Sequence, residues 1–348
     1  MLRITLFLLL IASTTLACKK EKDPISNDVN QSSADRMLLV LSAPSVNNTY
    51  YAAHFQQIID FHVAYANAIM NNDNVVVLAD AATMPHLRGR LPEEVLLTES
   101  VSDIWMRDFT TVNPMVPVEF TYTWASMSRR ESERVQNSWK GMADRNGIQR
   151  TPTDYILDGG NLVDNYAGSV ITTTRFLTDN NLTMEEGKQA LRELLGATNV
   201  AILPPDDEVL AHSDGMVSWL DANTLLVNDY SDDPSLRTQI LNELNNSFPG
   251  AKIVELPVVY ANNGIDPSIS SACGININAT MTLNNIYVPT FDMSHDQAAL
   301  DVIRANTTKK VIPVPASGVC GFGGSVRCLT WQLAGANADR LMEAARKN

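Results

Sequence analysis

Basic residues are in short supply in this chain: 26 Lys and Arg stand against 39 Asp and Glu in 348 residues, a formal charge of −13. Nucleic acid and anionic membrane surfaces, both strongly negative, are poor partners for such a chain. Hydrophobic stretches of bilayer-spanning length are also missing. The apolar run Ile4 to Ala12 covers about nine residues, too short to cross a membrane, and no second candidate follows. Histidine is limited to five residues, and His54, His62, His86 and His295 fall on predicted helices or loops without ligand spacing. No metal and no cofactor is expected. Cysteine is scarce as well, with four residues, so each one calls for its own account.

What is present begins with the N-terminus. Met1-Leu2-Arg3, the short apolar run and the small residues up to Ala17 read as a signal peptide over residues 1–17. Thr15-Leu16-Ala17-Cys18 resembles a bacterial lipoprotein box, with Thr15 in place of the usual Leu, and makes Cys18 the candidate lipidated residue. An ordinary secretory cleavage near Ala17 is the alternative. The polar stretch up to Asp35 buries too little apolar surface to fold and reads as a tether over residues 18–35. The expected product is an exported bacterial lipoprotein facing periplasm or cell surface. With Cys18 lipidated, an odd number of cysteines remains in an oxidising compartment. Cys273 and Cys320 could pair and leave Cys328 free, although sequence does not establish their geometry.

Residues 36–348 have an ordinary globular composition, 45% apolar and 19% charged over the whole chain, and form one α/β domain in this reading. Met37 to Leu41 reads as a buried strand, Tyr51 to Asn71 as a helix and Asn74 to Leu78 as a second strand. Helix–strand pairs recur at Met184–Leu195 with Asn199–Leu203, at Pro234–Phe248 with Lys252–Leu256, and at Gln297–Ala305 with Lys310–Val314. Five further extended segments carry the unusual polar residues: Ile104–Asp108, Ile156–Asn161, His212–Trp219, Asn276–Leu283 and Arg327–Gln332. Repeated βαβ-like units with polar residues on one strand of each suggest units set around a centre.

Four constellations stand out. On a strand, His212 and Asp214 would share one face with Ser213 turned away, pairing an imidazole with a carboxylate. A surface turn explains Ser-Asp-Gly as well. Asp103-Ile104-Trp105-Met106-Arg107-Asp108 would place Asp108 at the end of an apolar strand, or else present two surface ion-pair partners. Asp158-Gly159-Gly160-Asn161 permits close backbone approach beside an acid, and is also an ordinary tight turn. Gly323-Gly324-Ser325-Val326-Arg327-Cys328 sets a cysteine after a glycine-rich loop at the start of a strand, where its sulfur is reachable. A buried structural cysteine is the plainer reading.

In this order the motifs resemble those of the guanidino-group-modifying superfamily, specifically its agmatine deiminase and bacterial peptidyl-arginine deiminase branch. Trp105-Met106-Arg107-Asp108 resembles the Trp-x-Arg-Asp motif, Asp158-Gly159-Gly160 the acid-Gly-Gly motif with Asp for the more frequent Glu, and His212-Ser213-Asp214 the His-x-Asp motif. Asn278 is similar to an asparagine lining the family's site, and Gly323 to Cys328 resembles the loop that delivers the nucleophile. The resemblance spans about residues 36 to 340. It implies a five-bladed α/β propeller (the pentein fold) with the site in the central channel. Two departures lead away from agmatine itself. Phe109-Thr110-Thr111 follows Asp108 where x-Gly-Pro is usual, and Arg327 stands where a His commonly precedes the cysteine.

The resemblance implies a hydrolase that converts a guanidino group to a ureido group and ammonia. Cys328 is the candidate nucleophile, His212 the proton carrier, and Asp108 and Asp214 the clamps on the guanidinium, each accepting two N–H bonds. Asp158 is expected to orient His212 or the substrate, and Asn278 and Trp105 to line the substrate site. Arg129 and Arg130, in a segment rich in Arg and Glu, are candidates for a substrate carboxylate or simply a solvated charge cluster. Agmatine, free arginine and peptidyl-arginine all remain as substrates. A guanidinium-binding lipoprotein without turnover and an amidinotransferase are the competing functions. A papain-like peptidase is disfavoured because its cysteine precedes its histidine along the chain.

Overall fold

The computed structural model describes residues 36–123, 128–207, 209–261, 263–265 and 268–348. The predicted signal peptide, Cys18 and the tether lie outside the described residues. No helix among the described residues is long and apolar enough to cross a membrane.

The chain opens with β1 (Leu38–Ser42), α1 (Phe55–Met70), β2 (Asn74–Ala79) and β3 (Leu96–Thr98). β1 and β2 are parallel and wholly buried, consistent with their unbroken Leu and Val runs. Ile58, Ile59 and Ala66 bury one face of α1 as the helical spacing predicts, and Phe55 packs at its edge. A one-turn helix α2 (Met106–Phe109) leads to β4 (Val118–Thr121), α3 (Arg129–Arg145) and the parallel β5 (Thr151–Ile156). The next unit holds β6 (Val163–Asp164), β7 (Ser169–Thr173), α4 (Arg175–Asn180), α5 (Met184–Leu195) and β8 (Asn199–Leu203). Then come β9 (Val217–Trp219), β10 (Thr224–Asn228), α6 (Pro234–Ser247) and β11 (Lys252–Leu256). The last full unit is β12 (Thr280–Met281), β13 (Asn285–Thr290), α7 (Asp296–Ala305) and β14 (Lys310–Pro315). β15 (Trp331–Leu333) and α8 (Gly335–Arg346) end the chain.

These strands make five sheets, and their shared plan explains the five-bladed α/β propeller. In three blades a short strand runs antiparallel to a long one, which pairs in parallel with a third after a helical crossover. The first blade is completed by the end of the chain: β15 pairs antiparallel with β1, Leu38 opposite Leu333. Apolar side chains of neighbouring blades merge into common clusters, so that Tyr287 and Val314 of the β12–β14 blade pack with Leu39 and Val75 of the first.

One local expectation is corrected. The polar motifs do not ride on strands but on single helical turns that lead into the short first strands. Asp108 lies within α2, and Gly159–Asn161, Ser213–Gly215 and Cys320–Phe322 form 3-10 turns. Ile275–Asn278 and Ser325–Leu329 are likewise closed by hydrogen bonds three or four residues apart. Asp, Asn, Ser and Gly are rich in local hydrogen-bonding and backbone options that compete with a sheet ladder, so these sequences turn instead.

Candidate active site

Five such turns converge on one place, each bringing a different group. Asp108 comes from α2, Asp158 from the end of the β4–β5 unit, and His212 with Asp214 from the turn before β9. Asn278 comes from the turn before β12, and Cys328 from the turn before β15. Two cavities of about 540 and 810 Å³ open here, and His212 and Cys328 line both. Asp214 and Asn278 line the smaller, Asp108 and Trp105 the larger.

Cys328 is free and only 7% exposed. Its Sγ sits 3.8 Å from Asp214 Oδ2 and 3.2 Å from Asn278 Nδ2, which donates toward it. Burial, Asp214 and Asp108 together push the thiol well above its ordinary range. Asn278 holds the loop as well as the sulfur: its Oδ1 accepts from Ser325 Oγ at 2.9 Å and from Arg327 N at 3.2 Å. The other cysteines of the fold are settled. Cys273 and Cys320 form a disulfide that ties the wall of the smaller cavity to the turn preceding Gly323 and Gly324.

His212, 8% exposed, is held between two carboxylates. Asp158 Oδ2 lies 3.3 Å from its Nε2, and Asp108 Oδ1 lies 3.9 Å from its Nδ1. Burial alone would favour the neutral ring. The hydrogen bond with Asp158 and the charges of Asp108, Asp158 and Asp214 outweigh it and hold the imidazolium up to about 9. Asp158 is itself fixed by the backbone N–H of Thr123 at 3.2 Å, and Arg175 Nη2 stands 3.9 Å away. Asp158 therefore faces the imidazole.

Asp108 accepts a hydrogen bond from Gly160 N at 3.2 Å. Burial first, then Asp158 and Asp214, push its carboxyl up to about 7, with His212 acting in the opposite sense. The Asp158-Gly159-Gly160 motif gains its reason here. A Cβ on Gly160 would stand 2.5 Å from His212 Nδ1 and 2.7 Å from Asp108 Oδ1, and one on Gly159 would run into the carbonyl oxygen of Arg107. Gly324 likewise keeps clear of Trp105 and of Cys328 Cβ.

Asp214 is 1% exposed and lines the smaller cavity. Its Oδ2 already accepts from Arg327 Nη1 at 2.9 Å. Ser213 does turn away, its hydroxyl reaching toward Ile171 O at 3.4 Å. Arg129 and Arg130 are not brought to the site. Arg129 pairs with Glu133 and its side chain is 86% exposed, and α3 gives Glu131 and Arg134 to the cavity wall instead. The helical period decides this: along the first two turns of α3, Ser132, Val135 and Gln136 face the core, and Arg129 and Arg130 face away. Sequence reasoning also left Ser325, Arg175 and the Tyr51–Asp103 hydrogen bond of 2.7 Å in the larger cavity without a role. Nothing local in the sequence announced them.

The Porphyromonas-type peptidyl-arginine deiminase family profile matches residues 31–334. An agmatine deiminase of Pseudomonas aeruginosa is 26% identical over 324 residues, covering 77% of this chain and 85% of that protein. Among solved structures, a C. jejuni agmatine deiminase superposes with a TM-score of 0.72 at 18% identity, covering 88% of this chain and 96% of that one. An agmatine deiminase of Enterococcus faecalis gives 0.69 at 17% identity, covering 87% and 94%. The fold is thus the pentein propeller, and the chain belongs to the Porphyromonas-type peptidyl-arginine deiminase family of hydrolases acting on carbon–nitrogen bonds.

Proposed function

We propose that this chain deiminates a guanidino group of the arginine or agmatine type through a covalent bond to Cys328. One observation carries the reading. Among the described residues the free thiol and the His212 imidazole line the same two cavities, with Asp214 in the wall of the smaller and Asp108 in that of the larger.

A guanidinium is planar, cationic and a poor electrophile, so it must be held by acceptors that match its N–H fork and met by a strong nucleophile. Asp108 and Asp214 supply the acceptors. Arrival of the cation offsets the two carboxylates that hold the Cys328 thiol up, and so favours the thiolate. The thiol gives its proton to water and the sulfur adds to the guanidinium carbon. His212, protonated at neutral pH, donates to the departing nitrogen, which leaves as ammonia. An amidino group then remains on sulfur. His212, now neutral, takes a proton from water, hydroxide adds to the carbon, and the carbon–sulfur bond breaks. The ureido product leaves and the thiol is restored.

The substrate follows from place as much as from the pocket. An exported chain anchored through Cys18 is badly situated for intracellular polyamine chemistry, which favours peptidyl-arginine or scavenged free guanidines. The mass of the mature N-terminal peptide tests the anchor. A diacylated Cys18 supports it, and a chain starting there without lipid removes it. The deiminase reading is tested by ammonia release from agmatine, free arginine and an arginine-containing peptide. Cys328→Ser should abolish release from whichever is active. Tight binding of all three with no ammonia from any would overturn the proposal.

A further inference from the structure

Arg327 is a second guanidinium built into the floor of the site. It is 7% exposed, donates from Nη1 to Asp214 Oδ2 at 2.9 Å and from Nη2 to Leu162 O at 2.7 Å, and precedes the nucleophile directly. Its backbone N–H donates to Asn278 Oδ1 at 3.2 Å, the same atom that receives Ser325. Both ends of the residue are therefore fixed, the head by Asp214 and a carbonyl, the backbone by the asparagine that also touches Cys328 Sγ.

We propose that Arg327 is a positioning residue: paired with Asp214, it sets its charge against that carboxylate beside the Cys328 sulfur and so eases formation of the thiolate. The inference rests on the deiminase reading of the site for its kinetic consequences, but not for its effect on the thiol.

The argument is electrostatic. The groups facing Cys328 are Asp214 at 3.8 Å, Asp108 and His212 across the cavities, and Arg107, whose backbone N–H donates to Cys328 O at 3.0 Å. Beneath them Asp164 interacts with both Arg327 and Arg107, and these guanidiniums counter the burial that pushes its carboxyl up to about 6. Arg107 is committed elsewhere, to Val112 O and Gln332 Oε1. Without Arg327, the Asp214 carboxylate would face the sulfur without its partner. A buried carboxylate that loses its cation disfavours a second negative charge nearby. A substrate cation would still be attracted there, so ground-state binding would not weaken. Arg327 therefore acts on the attack and not on the affinity.

The test reads Cys328 directly. The pH dependence of iodoacetamide alkylation is followed on the Cys328 peptide by mass spectrometry, in wild type, Arg327→Gln, Arg327→Lys, Asp214→Asn and the double variant R327Q/D214N. Arg327→Gln should raise the alkylation midpoint by about one pH unit, roughly a tenfold loss of thiolate at fixed pH. Arg327→Lys, which keeps the charge, should stay near wild type. Asp214→Asn should lower the midpoint, and adding Arg327→Gln to it should raise it again. This last comparison contains no unpaired buried carboxylate at Asp214, so it stands even where the single Gln variant does not fold. In turnover, Arg327→Gln should lower kcat about tenfold with KM unchanged or smaller. A midpoint that does not move between Asp214→Asn and the double variant overturns the proposal, as does a Lys variant that shifts like the Gln one. Wild type without ammonia release would instead sink the deiminase reading and leave the alkylation result to judge Arg327.

Discussion

Adding one methyl group at Gly160 should disable the site while leaving the fold in place. The new Cβ would meet His212 Nδ1 at 2.5 Å and Asp108 Oδ1 at 2.7 Å, against the 3.4 Å at which ordinary contact begins. Both belong to side chains and not to backbone, so the ring can tilt and the carboxylate can swing, His212 by roughly 0.9 Å and Asp108 by somewhat less. A displacement near 1 Å at reacting groups costs about a hundredfold in rate, equivalent to about 2.7 kcal/mol of transition-state stabilisation. The 3.2 Å bond from Gly160 N to Asp108 would be strained in the same movement. Ammonia release by Gly160→Ala, on the best wild-type substrate, should therefore fall about a hundredfold in kcat/KM with the thermal midpoint lowered only modestly. Gly159→Ala is the contrast. Its Cβ would strike the backbone oxygen of Arg107, which cannot swing aside, so loss of folded protein is expected there. Gly160→Ala with folded protein and kcat/KM within about threefold of wild type would refute the claim that the close placement of His212 and Asp108 governs the rate.

Four further outcomes follow from the same geometry. The pH profile of kcat/KM should be a bell, rising as Asp108 ionises near 7 and falling as His212 loses its proton near 9. Asp158→Asn removes the partner that raises the imidazole, so the alkaline limb should move to lower pH. A limb that stays near 9 would remove Asp158 from that role. Replacing Cys273 and Cys320 by serine opens a link with a sequence separation of 47 and should cost up to about 4 kcal/mol in urea unfolding. An unchanged midpoint, with the bridge verified by thiol counting in wild type, would contradict this. Finally, Arg129→Ala with Arg130→Ala should leave KM for arginine peptides within about twofold, since α3 turns both away from the cavity. A KM raised for carboxylate-bearing substrates and not for agmatine would restore the carboxylate clamp.

Much of the fold was legible in local pattern. The strands Asn199–Leu203 and Lys252–Leu256 and the helix Met184–Leu195 occupy the residues their periodicity predicts. That helix begins at a capping box, Thr183 with Glu186, and stops at Gly196 in the left-handed region, signals carried by neighbouring residues alone. The motif residues Asp108, His212, Asp214, Asn278 and Cys328 were likewise readable as a set, because family order along the chain survives where each motif is weak. Strand placement of those motifs was not. Alternation cannot distinguish a short strand from a turn whose polar side chains close local hydrogen bonds.

Residue type and order by themselves determined the repeated α/β units, the candidate nucleophile and candidate proton carrier, and the acidic balance of the chain. Tertiary structure alone decided that β15 returns to β1, that Cys273 meets Cys320, and that Arg327 reaches Asp214. It also decided that Asp158 and Asp108 flank His212, and that Arg129 and Arg130 stay in solvent while Arg134 joins the wall. The reason is range. Helix and strand preferences are set by residues a few positions apart. A pairing across the ring depends on the summed twist and packing of every blade between its partners.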